Sequence, residues 1–150
     1  MKEYKISAIR EGTVVDHITP ESTFKLIEIL ALDKKPDLII SVGNNMGSKK
    51  IGRKGIVKIS GAFLGAEEVN KIALIAPNAT FNIIKNFKVT EKKQLKIPDK
   101  IEGIVKCFNP NCITNIEGIP TKFKVISRNS LKLFCTYCER IMKREDIVLL

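Results

Sequence analysis

Four cysteines form the pattern richest in chemistry. Cys107 and Cys112 are separated by four residues, Cys135 and Cys138 by two, and 22 residues lie between the pairs. Two close thiolate pairs on tight turns fit a tetrahedral zinc site. All four positions are filled by protein, which leaves no place for a reactive water and makes such a site structural. Its binding energy would become folding energy for the short stretch that carries it. On spacing alone, four free thiols or two disulfides remain alternatives. A reducing compartment disfavours the disulfides.

Three further groups carry polar chemistry. Asp16-His17 holds the only histidine, next to an acid. A catalytic dyad would need a nucleophile, and no Ser or Cys sits in a recognisable frame. The plainer reading is a strand-end acid and a half-buried imidazole bonded to backbone. The run from Gly47 to Gly55 (GSKKIGRKG), followed by Lys58, has glycines and cations. It lacks the G-x4-G-K-[ST] spacing of a phosphate-binding loop. Its ammonium groups suit a polyphosphate as point charges, or simply solvate a hairpin. Asn82, Ile84, Phe87, Val89 and Lys92 follow one another along a strand and its exit.

The elements that must position these residues are legible as periodicities. Tyr4 to Ile9 and Thr13 to Ile18 alternate as extended segments. Thr19-Pro20-Glu21 announces a helix, with Thr as N-cap and Pro at the first helical position. Phe24, Ile27, Leu30 and Ala31 make its stripe, which Leu26 and Ile29 widen beyond what one sheet requires. Asp37 to Gly43 and Gly55 to Ser60 are strands joined by a basic connection, Asn44 to Lys54. Gly65 to Ala76 is a second helix with Val69, Ile72, Ala73 and Ala76 on one face, stopped by Pro77. Thr80 to Thr90 returns to strand. The order βαββαβ predicts a ferredoxin-like antiparallel sheet with both helices on one face, an α+β domain over residues 1–95. Glu91 to Lys100 is charged, holds Pro98 and has the character of a linker. Short β runs at Ile104-Val105, Phe123 to Ile126, Leu131 to Phe134 and Ile147 to Leu150 give a small all-β zinc-binding domain over 101–150.

Composition narrows the partners. The chain of 150 residues has 26 Lys+Arg against 16 Asp+Glu, a net charge of +10. Anionic ligands or surfaces are therefore expected. Lys supplies 21 of those 26 cations and aromatic residues only 6% of the chain. Base stacking and bidentate base reading would have little to use. The opening MKEYKISAIREG has no apolar core of a signal peptide, and no run of 18 apolar residues follows, so a cytoplasmic chain with no membrane partner is expected.

GTVVDHI at 12–18, MGSKKIGRKGIVKI at 46–59, ALIAPNAT at 73–80, NIIKNFKV at 82–89 and the four-cysteine set together resemble the regulatory chains of aspartate carbamoyltransferase, over about residues 4–150. The resemblance implies a chain without activity of its own, acting in pyrimidine biosynthesis. It implies an N-terminal domain that binds ATP, CTP and UTP as allosteric effectors, and a zinc domain docked on the catalytic chain. Regulatory dimers, paired through their N-terminal domains, would bridge catalytic trimers. The effector pocket would be lined by Ala8, Ile9 and Val14, with Asp16 and His17 at the ribose and base. Lys54 and Lys58 would approach ribose and phosphates. Asn82, Ile84, Phe87 and Val89 would wall the base, and Lys92 would reach the phosphates. The family often has Tyr where this chain has Phe87, which removes a hydroxyl from base recognition. Asn109, Asn111, Arg128 and Arg140 would face the catalytic chain.

Two other classes compete. A nucleic-acid-binding zinc ribbon would use the charge and the cysteines, but the cations are spread thinly. A zinc deaminase would need H-x-E and P-C-x-x-C, whereas Thr19 stands two residues after His17 and Phe134 precedes Cys135.

Overall fold

The computed structural model describes residues 8–150. The expected strand at Tyr4 to Ile9 thus falls largely outside the described residues, and Ala8 and Ile9 have no regular structure. The chain divides into two compact units, one ending at Lys96 and the other spanning Ile97–Leu150.

The first unit is a five-stranded sheet with two helices. Its strands are β1 (Gly12–Ile18), β2 (Ile39–Ser48), β3 (Gly52–Ser60), β4 (Thr80–Lys85) and β5 (Lys88–Gln94), in the order β2-β3-β1-β4-β5. Every neighbouring pair is antiparallel. Taking β1 as the first strand gives the ferredoxin-like βαββαβ order, with β5 appended as an edge. Helices α1 (Thr23–Ile29) and α2 (Ala66–Ile75) cover one face. There Val15, Ile18, Val57, Ile59 and Phe81 pack on Leu26, Leu30, Ile72 and Ala73. The opposite face carries a smaller apolar group of Ile9, Val14, Ile84 and Ile56.

Three one-residue bulges set what each face displays. In β1, Val15 faces Val57 but Ile18 faces Gly55, so β1 holds one extra residue. His17 lies in the left-handed region at φ 57°, the local twist that such an insertion needs. In β5, Glu91 faces Ile83 but Val89 faces Ile84, so Thr90 is extra. In β2, Gly43 faces Ile56 but Met46 faces Lys54, with Asn45 at φ 56°.

Several elements differ from expectation. The first helix starts at Thr23, not beside Thr19. The Thr19 carbonyl accepts the Ser22 N–H at 2.9 Å, closing a turn, and the Thr19 hydroxyl bonds Ser22 Oγ rather than capping backbone. The buried face centres on Leu26 and Leu30, and Phe24 is 63% exposed. The basic connection 44–54 is mostly strand, because Met46, Gly47 and Ser48 pair with Lys54, Arg53 and Gly52. The run 80–90 is a hairpin rather than one strand. Asn86 and Phe87, at φ 52° and 64°, make the tight turn that matches strand twist. Glu91 to Gln94, expected in the linker, belong to β5.

The second unit holds a four-stranded antiparallel sheet in the order β10-β9-β8-β6. Its strands are β6 (Lys100–Glu102), β8 (Lys122–Ser127), β9 (Lys132–Cys135) and β10 (Ile141–Lys143). A two-stranded ribbon joins β7 (Val105–Lys106) to β11 (Val148–Leu149), and α3 (Ile113–Ile116) is a single turn. Ile101, Val105, Phe123, Leu133 and Met142 are fully buried. β6, β10 and the α3 turn were not expected. Each has three or four residues, too few to show a period.

Gly55 packs closely under the start of α1. A Cβ there would lie 1.9 Å from Thr23 Oγ1 and 2.9 Å from Asn44 Oδ1. Those two groups bond each other at 2.9 Å, and Asn44 Nδ2 donates to the Pro20 carbonyl. Gly55→Ala is expected to destabilise the first unit by about 1–3 kcal/mol, the usual range for overpacking. The melting temperature should fall by about 4–8 °C per kcal/mol. Gly47→Ala, where a Cβ meets nothing within 4 Å, should melt like the parent chain.

Candidate metal centre and ligand pocket

The four cysteine sulfurs lie within 4.8 Å of one another, and none is in a disulfide. Cys107 Sγ is 3.6 Å from Cys138 Sγ, and Cys112 Sγ is 3.8 Å from Cys135 Sγ. A disulfide would need about 2.05 Å. A metal–sulfur distance of about 2.3 Å in a regular tetrahedron gives sulfur–sulfur edges of about 3.8 Å. The set therefore has the dimensions of a tetrahedral thiolate cage.

Two loops hold the cage. In the first, the Cys112 N–H donates to the Asn109 carbonyl at 3.0 Å, and Asn111 N–H to Asn109 Oδ1 at 3.1 Å. Asn115 Nδ2 ties the loop shut on the carbonyls of Cys107 and Asn109. In the second, Glu139 N–H donates to the Cys135 carbonyl at 2.8 Å, and Glu139 takes φ 63° to close the turn. Thr114 Oγ1 donates to Cys112 Sγ at 3.2 Å. Burial pushes the Cys107 thiol up to about 12. Burial raises Cys138 too, but the backbone N–H of Arg140 and the Asn109 amide outweigh it and hold that thiol at about 7. Four thiolates this close would repel strongly, so the cage needs a cation to hold all of them charged.

The second site lies on the sheet face that the helices leave open. A cavity of about 320 Å³ is lined by Ala8, Ile9, Val14, Asp16, His17, Ile56, Lys58, Thr80, Asn82, Ile84, Phe87, Val89 and Lys92. Eleven of the twelve residues proposed from sequence are in that set. The exception, Lys54, points its ammonium at the Asp16 carboxylate, 2.9 Å from Oδ1 and 3.2 Å from Oδ2. Ile56 and Thr80 were missed. The period of two could have found them, since Ile56 precedes Lys58 by two and Thr80 precedes Asn82 by two.

The bulges assemble this face. In a regular strand the neighbours Asp16 and His17 would point to opposite sides, and so would Val89 and Lys92, three apart. The extra residues in β1 and β5 bring all four to the cavity. Asn82, buried beneath, donates from Nδ2 to the Val14 carbonyl at 3.3 Å. His17 Nδ1 lies 3.1 Å from Thr80 Oγ1. Burial lowers the His17 pKa, Lys54, Lys50 and Lys92 lower it further, and Asp16 opposes them. The result is an apolar floor, a polar side and two lysines at the rim. It suits a ligand with a flat apolar body, hydroxyl groups and an anionic tail.

The residues proposed to face a partner behave unequally. Asn111 and Arg140 are exposed beside the two cysteine loops. Asn109 is buried and spent on bracing the first loop. Arg128 donates from Nε to the Ile97 carbonyl at 3.1 Å and from Nη2 to Asp99 within its own chain.

Two family models cover the chain. Residues 4–96 match the allosteric domain of the aspartate carbamoyltransferase regulatory chain. Residues 99–148 match the metal binding domain of the same chain. The protein belongs to the aspartate carbamoyltransferase regulatory chain family. It is 57% identical to the aspartate carbamoyltransferase regulatory chain of Pyrococcus horikoshii over 149 residues, 99% of this chain and 98% of that one. It is 55% identical to that of Pyrococcus furiosus over 99% of this chain and 98% of the other. The identity is 44% to that of Bacteroides thetaiotaomicron, over 97% and 95% of the two chains. As a regulatory chain it is the non-catalytic partner in its enzyme. The cage falls in the family's metal-binding domain and the open-face cavity in its allosteric domain.

Two outcomes follow from this geometry. Chelation under reducing conditions should release one metal per chain and unfold the second unit while the first stays folded, measured by metal analysis with circular dichroism. Cys112→Ser should do the same without chelator. The second outcome concerns His17, whose folded pKa lies below its unfolded value of 6.5. The unfolded chain then binds more protons, so stability falls as pH drops below about 6.5 towards the folded pKa. His17→Gln should flatten that loss in unfolding titrations between about pH 7 and 5.

Proposed function

We propose that this chain is a nucleotide-sensing, zinc-stabilised regulatory subunit. It binds ATP, CTP and UTP in the open-face cavity and joins catalytic chains of aspartate carbamoyltransferase through its second unit. The observation that carries this reading is the convergence of Lys58, Lys92, Asp16 and an apolar floor on one cavity of an allosteric domain. A nucleoside triphosphate presents a flat base, two hydroxyls and a tri- or tetra-anion. The base rests on Ile9, Val14, Ile84 and Val89, the ribose faces Asp16 and His17, and Lys58 and Lys92 draw the phosphates. Phe87 offers its ring without a hydroxyl, so base choice falls to backbone groups and Asn82.

Zinc is the metal we assign to the cage. Four thiolates in a closed tetrahedron suit zinc or an iron–sulfur centre and exclude calcium and magnesium. A colourless protein with one zinc per chain supports the assignment. Asn111 and Arg140, exposed beside the cysteine loops, are the residues we assign to the catalytic-chain interface. Regulatory chains pair through their first units, a reading supported by exposed Phe24 on α1 and by exposed Ile39 and Val42 on the edge strand β2. Such dimers would bridge catalytic trimers in the cytoplasm, where the thiols stay reduced. Nucleic acid is not a partner in this reading, since lysines without aromatics make a poor platform for bases.

Titration calorimetry tests the pocket. A charge-assisted contact to phosphate is worth about 1.5–3 kcal/mol. Lys58→Ala and Lys92→Ala should each weaken ATP and CTP about 10- to 100-fold. Lys49→Ala, in the exposed loop of the β2–β3 hairpin, should change little. Lys50 is a poorer control because its Nζ donates to Gln94 Oε1 and its charge reaches His17. Loss of binding with Lys49→Ala but not with Lys58→Ala or Lys92→Ala would move the site to the hairpin.

A further inference from the structure

β5 is at once a wall of the cavity and the last element before the second unit. Lys92 pairs with Asn82, and Gln94 pairs with Thr80. The Gln94 amide donates to the carbonyls of Asn78 and Ala79. The next residue, Leu95, donates its N–H to the Ala79 carbonyl at 3.1 Å and buries its side chain in the main core. That fixes the end of β5 in the first unit. Two residues later the chain is fixed again. Ile97 is 4% exposed, and its carbonyl accepts Arg128 Nε. Asp99 takes Arg128 Nη2 on its carboxylate and the Val125 N–H on its carbonyl at 2.9 Å, and β6 begins at Lys100. Only Lys96 separates a residue held by one unit from a residue held by the other.

A slack linker would absorb a small movement of β5, because each free residue adds two soft dihedrals. One residue between two anchors leaves little to absorb it. From Lys92 to Ile97 is five residues, about 17 Å of extended chain. The guanidinium suits this task because its planar fork bonds a carbonyl and a carboxylate together.

We propose that Arg128 is a positioning residue that clamps the exit of β5, through Ile97 and Asp99, so that ligand held at Lys92 is felt at β6. The proposal rests on the nucleotide reading of the cavity. It gives Arg128 a task inside its own chain in place of the catalytic-chain interface.

Amide hydrogen exchange on the full, metal-loaded chain tests it, with and without ATP. In the parent chain ATP should slow exchange of both the 88–94 and the 97–102 segments. Arg128→Ala and Asp99→Ala should each speed exchange at 97–102 by about two- to fivefold, the scale of one lost exposed ion pair. Both should abolish the ATP effect there while keeping it at 88–94, and the double variant should do no more than either alone. Arg128→Lys keeps a charge for Asp99 but loses the planar fork, and should restore the signal only in part. Full metal content in each variant controls for folding. An ATP effect at 88–94 with none at 97–102, or one at 97–102 that survives Arg128→Ala, overturns the clamp and leaves the pocket standing. No ATP effect at 88–94 in the parent chain overturns the pocket and the clamp with it. Arg128→Ala that weakens assembly with the catalytic chain and leaves exchange untouched returns Arg128 to the interface.

Discussion

A β-strand sends its side chains to two faces in strict alternation, and one inserted residue reverses everything beyond it. The first unit depends on that rule and on two of the three places where it is broken. Val15 and Ile18 are both fully buried under the helices although they are three residues apart. They can share a face only because β1 takes in one extra residue between them, with His17 in the left-handed region. The same insertion turns Asp16 and His17 together towards the open face. The extra Thr90 in β5 does this for Val89 and Lys92. Sealing the core and lining the cavity are thus one arrangement. An L-residue at φ 57° is disfavoured by about 1–3 kcal/mol, and the packed core on the other face holds it there.

The second unit answers a different constraint. Fifty-four residues, Ile97 to Leu150, bury few large side chains, and strands of two or three residues cannot stand alone. The thiolate cage ties the loop after β7 to the turn after β9, elements distant in sequence. A metal cation held there would supply the charge balance that four crowded thiolates lack. Asn109 and Asn115 do locally what a longer helix or strand would otherwise do, since between them they bond the loop's carbonyls and N–H groups.

Electrostatics divides the work within the pocket. A chain at +10 attracts any polyanion, so attraction alone selects nothing. Asp16 takes Lys54 into a half-buried pair, and Lys58 and Lys92 line the cavity wall. A carboxylate beside that wall disfavours an anion placed near it. Position therefore comes from one anion among cations.

The sequence disclosed the cage almost completely, because thiolate spacing is a local property. It disclosed the βαββαβ order and most of the cavity, because Val14, Lys58, Asn82 and Ile84 obey the period of two. It did not disclose the register. Nothing in GTVVDHI marks His17 as the extra residue, since an insertion exists only relative to the partner strand that lacks it. The same reason hid the hairpin at Asn86-Phe87: both residues take positive φ there without the glycine that usually announces such a turn. Nothing in the sequence around Arg128 points to its partners within the chain. Its bonds to Ile97 and Asp99 span about thirty residues of sequence, a distance over which periodicity carries no signal. Local chemistry and alternation are readable from one strand, whereas register and long-range anchoring are properties of pairs.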